Sequence, residues 1–473
     1  MPRLSSTLWR RLTGALLVLA AATVIGGVAF NREALHIATG SVSSSLCAAA
    51  FVSRVDPARV FAEEQLPLMA SIGWAVRYTV DRPHREVRAS VLGLFPARAA
   101  YRPGLGCLVV HGNGPLPEAD GLADSAEPDS SGPPVVTPVD PALRRALDLA
   151  FAEPDPAHPR LTKAVVVLHD GKLVAERYAP GYGPETPIWG HSVTKSVIQA
   201  LIGILVRQGR LRLDQPAPLA AWASPTDPHH AITVDQLLRM DSGLPFDETD
   251  GPVNPATHMW FREADSAAYA ARMPLAHPPG TAWGYSNLGF ALLSKLVGDA
   301  TGGTAVGSEA FARRELFAPL GMHHSVIETD ATGTLLGAGF MYASARDFAR
   351  FGQLYLDDGV ANGHRILPEG WAAYSRSQTL DTGYGAGFWT NLVNTGSVPV
   401  WDAPWGMPQL PKDMFYARGA FGQYIIIVPS EQLVVVRLGL TVQGGGTGIG
   451  EATAAIIAAL HRQATLGLPA PPR

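Results

Sequence analysis

Apolar residues recur along this chain at two spacings, and the switch between them predicts most of its elements. Helical spacing, three and four apart, holds over residues 142–151, 192–208, 234–240, 266–272, 288–301, 308–316, 345–357, 368–375 and 450–461. Alternating or β-branched runs at 163–168 and 172–178 flank Asp170-Gly171, a dipeptide suited to a tight hairpin, and runs at 423–428 and 431–440 flank Pro429-Ser430. Strand pairs at both ends with helices between predict an α+β fold: an antiparallel sheet flanked by helices and interrupted by a helical insert, over residues 139–473.

Upstream the pattern is weaker. Residues 56–70 read as a helix that Pro67 should kink or end, and 74–80, 86–94 and 107–110 as short strands, giving a small α+β segment over 31–111. Residues 112–138 are rich in Gly, Pro, Asp, Glu and Ser and read as a linker. Residues 12–30 carry no charge and follow Arg3, Arg10 and Arg11. As a helix that run is about 28 Å long, close to the hydrocarbon thickness of a bilayer. It ends Gly26-Gly27-Val28-Ala29-Phe30, without an Ala-x-Ala site. Residues 1–30 are therefore expected to be a signal anchor, with a cleaved signal peptide as the alternative. The remainder is expected in the cell envelope, held at the inner membrane with its main domain periplasmic, or released to the periplasm. In such a compartment Cys47 and Cys107 are expected to pair.

Composition narrows the partners. The net charge of −4 gives no cationic excess for phosphates, which excludes nucleic acid as the main partner. Two cysteines and the adjacent pairs His229-His230 and His323-His324 lack metal-ligand spacing, so neither metal nor cofactor is expected. Lysine is scarce, five against 32 arginines, which draws attention to each one.

Three short stretches carry candidate chemistry. Ser192-Val193-Thr194-Lys195 opens a helix, and at i+3 the lysine shares a face with the serine. A lysine among apolar neighbours loses basicity and can take the serine proton. The same four residues also fit a serine cap followed by a solvated lysine. Tyr285-Ser286-Asn287 lies between a Pro-Pro-Gly turn and a helix. A tyrosine beside a lysine cation can be partly ionised and act as a base, and Asn287 can hold the lysine. A turn tyrosine with an asparagine cap fits equally. Arg418-Gly419-Ala420-Phe421-Gly422-Gln423 enters a late strand, where glycine lets the backbone approach a ligand and the Ala420 amide could join that of Ser192 around a carbonyl oxygen.

Together these stretches resemble the serine β-lactamase and penicillin-binding protein family, with Ser-x-x-Lys, Tyr-x-Asn and a Lys-Thr-Gly-like strand in order. The chain is most similar to the class C-like branch, the 6-aminohexanoate-dimer hydrolases and related esterases. Thr233–Leu244 (numbers 233–244), 319–322, 345–352 and Gly422-Gln423-Tyr424 are further similar stretches, and the resemblance covers about residues 139–461. It implies a β-lactamase-like fold and a serine hydrolase that cleaves a small ester or amide through an acyl-enzyme. Ser192 would be the nucleophile, Lys195 its activator, Tyr285 the general base and acid, and Asn287 a support. The Ser192 and Ala420 amides would form the oxyanion hole, with Gly419 and Arg418 at the substrate. Three departures stand out: Ala417-Arg418-Gly419 replaces Lys-Thr-Gly, His191 precedes the nucleophile where a bulky apolar residue is usual, and Asp250 stands where amide-cleaving relatives place a tyrosine. Action on peptidoglycan as a D,D-peptidase or penicillin-interacting protein, or binding without turnover, are the alternatives.

Overall fold

In the computed structural model, residues 31–69, 71–112, 116, 122, 133–249, 251–392, 406–441 and 445–466 are described. The uncharged run 12–30, most of the 112–138 linker and Asp250 lie outside them.

Residues 32–109 build a helix on a sheet. Helix α1 (Arg32–Cys47) lies against a four-stranded antiparallel meander, β1 (Val76–Asp81), β2 (Glu86–Val91), β3 (Leu94–Arg102) and β4 (Gly106–Val109). The sequence pattern does not announce α1, because serine, threonine and glycine break up its apolar positions. Those polar side chains are buried and satisfied locally: Ser43 donates to the Gly40 carbonyl at 3.0 Å and Ser45 to Glu64 at 2.8 Å. With the π-helical turn that follows, the stretch Arg32–Ser53 is long and apolar enough to cross a membrane, yet most of it is buried within the protein, as a core helix is. The helix expected over 56–70 is broken into Pro57–Val60, a π-turn Phe61–Gln65 and Leu66–Leu68. Pro67 has no N–H to continue the ladder, which accounts for the widened turn before it. The single strand expected over 86–94 is two, because Leu92 (φ 50°) and Gly93 (φ 77°) form a tight hairpin between β2 and β3. A disulfide joins Cys47, at the end of α1, to Cys107 on β4.

In the main domain, α2 (Pro141–Phe151) begins at Asp140, whose carboxylate accepts the Ala142 N–H at 2.8 Å. Strands β5 (Thr162–His169) and β6 (Lys172–Tyr178) follow. They turn at Asp170 and Gly171, both with positive φ, as the sequence predicts. Short β7 (Ile188–Trp189) leads into the insert of α3 (Val193–Arg207), α4 (Val234–Arg239), α5 (Pro255–Arg262), α6 (Ser266–Ala271), α7 (Asn287–Ala300) and α8 (Ala305–Ala312). Then come β8 (Ser325–Ile327), β9 (Met341–Ala343), α9 (Ala345–Leu356), the small hairpin β10 (Val360–Ala361) and β11 (His364–Arg365), and α10 (Trp371–Arg376). The chain returns through β12 (Trp389–Thr390), β13 (Phe415–Gly419), β14 (Gln423–Val428) and β15 (Leu433–Gly439) to α11 (Ile449–Leu466). The main sheet is antiparallel in the order β12-β13-β14-β15-β5-β6, so the last strand pairs with the first: Val434 faces Leu168 and Val436 faces Val166. Every residue of β14 and β15 is buried, which requires cover on both faces. Helix α9 packs on β14, β15 and β5, while α2 packs on β5 and β6 and pairs with α11. Helix α5 and strand β13 were not expected from the sequence; both are too short for their periodicity to stand out.

A second sheet, β7-β9-β8, joins the two units. Its Val326 and Tyr342 belong to the apolar core of the N-terminal unit. Glu328 accepts the Cys107 amide at 2.7 Å, Arg102 donates to the Thr329 hydroxyl at 2.6 Å, and Arg313 donates to the Gly104 carbonyl at 2.7 Å.

The Cys47–Cys107 bridge closes a loop of sequence separation 60. In the chain-entropy account this stabilises the fold by about 4 kcal/mol. Thermal unfolding with and without reductant should show a lower Tm for the reduced protein, and Cys47→Ser/Cys107→Ser should unfold at that lower temperature whether or not reductant is added.

Candidate active site

Ser192 sits where β7 gives way to α3. Between them the chain turns through Gly190, where a Cβ would lie 2.7 Å from Phe348 Cζ, and His191, which has φ 47°. Helix α3 is buried from Val193 to Leu205, so a polar side chain in its first turn must find partners inside the protein. Ser192 is the N-cap by position, but its hydroxyl makes no capping bond. It accepts instead from Lys195 Nζ at 2.9 Å. Lys195 is 2% exposed, so it is not the solvated lysine that the four residues alone would allow. Its ammonium also donates to Asn287 Oδ1 at 2.6 Å and to the Ala338 carbonyl at 2.5 Å. These two acceptors carry no hydrogen to give. When the amine is neutral, its two hydrogens stay on them and its lone pair is left facing Ser192 Oγ. Burial lowers the Lys195 pKa to about 8, against the opposing pull of Glu248 and Asp247.

Asn287 links the lysine to two carboxylates. Its Nδ2 donates to Asp247 Oδ1 at 2.9 Å and to Glu248 Oε1 at 2.7 Å. Asp247 is fully buried and accepts the Leu288 amide at 2.8 Å, which anchors the start of α7. Burial first, and the Glu248 charge second, raise the Asp247 pKa to about 7. The cap of α7 is Ser286, whose hydroxyl accepts the Gly289 N–H at 3.1 Å. That frees the Asn287 side chain for Lys195, where the sequence also allowed it to be the cap.

The Tyr285 hydroxyl lies beside Ser192, close enough for the serine to act on its pKa, and Lys195 Nζ lies 4.8 Å from its ring centroid. The expectation of a partly ionised phenol does not hold. Burial and the Glu248 carboxylate push its pKa well above the usual tyrosine value, so the hydroxyl keeps its proton. The ring stacks on Trp389 at 5.9 Å, and Trp283 and Tyr384 complete an aromatic wall.

The end of β13 meets the Ser192 turn from the other side. A Cβ at Gly419 would overlap the Gly190 carbonyl oxygen, so only glycine permits this approach. Ala420 follows directly. Its carbonyl accepts from Gln423 Nε2 at 2.9 Å, and Gln423 also exchanges bonds with Gly439 at 2.6 and 2.9 Å. Phe421 holds φ 60°, and buried Arg437 donates to the Gly422 carbonyl at 2.5 Å. Strand alternation puts Arg418 on the face opposite the Gly419 contact, where its cation acts on Tyr416. His191 is stacked on Trp189 at 3.8 Å and meets Phe421 edge-on at 5.2 Å. Burial, with Lys195 nearby, lowers its pKa to about 3, and among the described residues its buried Nε2 has no hydrogen-bond partner.

The structure thus gathers Ser192, Lys195, Tyr285 and Asn287 with the Gly419-Ala420 turn beside them. Sequence reasoning missed Asp247 and Glu248, the Ala338 carbonyl, and the clamps Gln423 and Arg437. Asp247 and Glu248 were visible only as neighbours of the 233–244 stretch; nothing in their spacing ties them to Asn287. Among the described residues no group of His, Cys, Asp and Glu could hold a metal ion.

The family model described as Beta-lactamase matches residues 149–460. The 6-aminohexanoate-dimer hydrolase of Paenarthrobacter ureafaciens is 29% identical over 325 residues, covering 64% of this chain and 79% of that protein. Penicillin-binding protein 4 of Amycolatopsis lactamdurans is 27% identical over 287 residues, covering 52% and 70%. Among solved structures, a Bacillus anthracis protein assigned as a 6-aminohexanoate-dimer hydrolase superposes with a TM-score of 0.53 at 22% identity, covering 64% of this chain and 80% of that one.

Gly419→Ala places a methyl group against backbone rather than against a yielding side chain. It should cost roughly 1–3 kcal/mol in thermal or denaturant unfolding. It should also separate the β13 end from the Ser192 turn, slowing labelling of Ser192 by a fluorophosphonate more than Gly446→Ala does, a position with open space around it.

Proposed function

The chain belongs to the β-lactamase family of serine hydrolases, and from that premise we propose that it cleaves a small ester or amide through an acyl-enzyme on Ser192. The observation that carries this reading is the Lys195 amine, 2.9 Å from Ser192 Oγ, with its other two bonds committed to acceptors that cannot donate. A lysine lowered to about 8 is a base available near neutral pH.

In the first half-reaction Ser192 Oγ bonds to the substrate carbonyl carbon and its proton passes to Lys195. The carbonyl oxygen gains charge between the amides of Ser192, which opens α3, and Ala420. Tyr285, protonated and in contact with Ser192, gives its proton to the departing alcohol or amine and recovers one from Lys195. In the second, a water attacks the acyl carbon by the same proton route, and Ser192 is released. Asn287 holds Lys195 in place and is itself held by Asp247 and Glu248. The wall of Trp283, Tyr285, Tyr384 and Trp389 suits an acyl group with an apolar body. A peptidoglycan peptide ends in a carboxylate, which calls for a cation at the site. Ala417 stands in the position of the family lysine and brings no cation there, which favours a small neutral substrate over that peptide. The envelope location expected from residues 12–30 is part of the same proposal.

Intact-mass analysis after exposure to a fluorophosphonate and to a penicillin tests it. An adduct with the first alone is the expected outcome, adducts with both point to the penicillin-binding alternative, and none with either points to a binder without turnover. Ser192→Ala should abolish the adduct, and Lys195→Ala should lower turnover by about 10⁴-fold. Tyr285→Phe should slow both half-reactions, while His191→Ala, which removes a ring too weakly basic to take the proton, should retain most of the activity. Loss of activity in His191→Ala with retention in Lys195→Ala and Tyr285→Phe would refute the Ser/Lys/Tyr assignment.

The pH dependence has a definite sign. Labelling needs neutral Lys195, so its rate should rise with pH through a midpoint near 8. Glu248 is the larger of the two carboxylates holding that pKa up. Glu248→Gln removes the charge, disfavours the ammonium and should move the midpoint to lower pH. A midpoint that stays in place or rises counts against Lys195 as the titrating base.

A further inference from the structure

The two ends of the N-terminal sheet differ in chemistry. At one end, the turn between β1 and β2 exposes Arg82, His84 and Arg85. At the other, Trp74 is 70% exposed, Leu92 60%, Leu94 59% and Leu68 58%. The backbone segments that carry them lie together. Leu92 N–H donates to the Ala75 carbonyl at 2.9 Å, one residue from Trp74, and Leu66 packs on Gly73, which precedes it. Leu94 begins β3 on the far side of the Leu92-Gly93 hairpin. Arg77 lies alongside and donates to the Trp74 carbonyl at 2.7 Å. Contiguous exposed apolar surface with a tryptophan and an arginine at its edge has the make-up of a bilayer interface.

The position of α1 says what meets this end. His36, in the first turns of the helix, touches Phe95 at 5.2 Å between ring centroids, and Cys47 at its far end is bonded to Cys107. Helix α1 therefore runs along β3 with its start at the apolar end of the sheet. The uncharged residues 12–30 are separated from α1 by Asn31 alone. A membrane segment at 12–30 would leave no linker, and would hold the start of α1 at the membrane surface together with Leu92, Leu94 and Trp74.

We propose that the Trp74/Leu92/Leu94 end of the N-terminal unit, extended by Leu66 and Leu68, inserts into the interface of a lipid bilayer. The unit is then a seat on the membrane as well as a support for the β7-β9-β8 sheet. The proposal rests on residues 12–30 entering the bilayer and is separate from the hydrolase reading, since it uses no residue of the Ser192 site.

The test uses the full chain in phosphatidylethanolamine/phosphatidylglycerol vesicles that contain acyl-chain-brominated phosphatidylcholine, which quenches tryptophan only on contact with acyl chains. Ten tryptophans emit, Trp9 among them, so wild type is compared with Trp74→Phe, a change at an exposed position that should leave the fold intact. A quenched component present in wild type and missing from Trp74→Phe is the expected result. In Leu92→Glu/Leu94→Glu that component should shrink while the protein stays with the vesicles and Ser192 still reacts with a fluorophosphonate. Equal quenching in wild type and Trp74→Phe overturns the proposal, whether water, residues 12–30 folded back, or a second copy covers the patch. Failure of the full chain to stay with vesicles overturns it too, and leaves the fluorophosphonate result, and with it the hydrolase reading, untouched.

Discussion

One amino group sets the terms for the main domain. Lys195 is 2% exposed, in the first turn of a helix whose buried side chains include no other charge. A charge there is tolerable only if every hydrogen of the ammonium is accepted, and the three acceptors come from three separate stretches: Ser192 on the same helix, Asn287 at the start of α7, and the Ala338 carbonyl just ahead of β9. Helix α7 is in turn fixed by Asp247, which holds the Leu288 amide and the Asn287 side chain together. The position of α7, the turn before β9 and the 247–248 stretch thus answer one requirement. The same arrangement that makes the burial tolerable leaves the amine aimed at the serine.

The second constraint is closeness of backbone. Gly190 is pressed by Phe348, and Gly419 is pressed on the Gly190 carbonyl, so the Ser192 turn is wedged between α9 and the end of β13 with no room for a Cβ at either glycine. On its outer side the β7-β9-β8 sheet carries the N-terminal unit, tied in by the Cys107 amide on Glu328 and by Tyr342 in the core of that unit. Burial raises the Glu328 pKa to about 8. The N-terminal unit therefore braces the turn that presents Ser192 without contributing a group to the chemistry.

Legibility in the sequence followed the strength of local signals. Helices with a wide apolar face, such as α9 and α2, and the Asp170-Gly171 hairpin could be read directly, because spacing and turn chemistry are local properties. The three stretches that meet at Ser192 could be read because their order resembles a known family. Helix α1 could not, since Thr39 and Ser43 bond the helix's own carbonyls while Ser41 and Ser45 bond Gln65 and Glu64, which lets polar side chains break up its apolar pattern. Asp247 and Glu248 could not, because what joins them to Asn287 is the path of a loop rather than a spacing. Arg418 was placed at the substrate from its position in a triplet; strand alternation puts it on the face of β13 that it shares with Tyr416.

The pairing of β15 with β5 has a consequence for the timing of activity. Strand β13, which ends at the Ala420 turn, reaches the sheet only through β14 and β15, and β15 is synthesised near the end of the chain. A ribosome-bound or truncated chain that stops before residue 439 holds Ser192 and Lys195 but lacks the strand that docks β14 and β13 onto β5. Such a chain holds the Ser192–Lys195 pair without the strand end that closes on it. The fold thereby completes this site only once β15 has been made, near the end of synthesis.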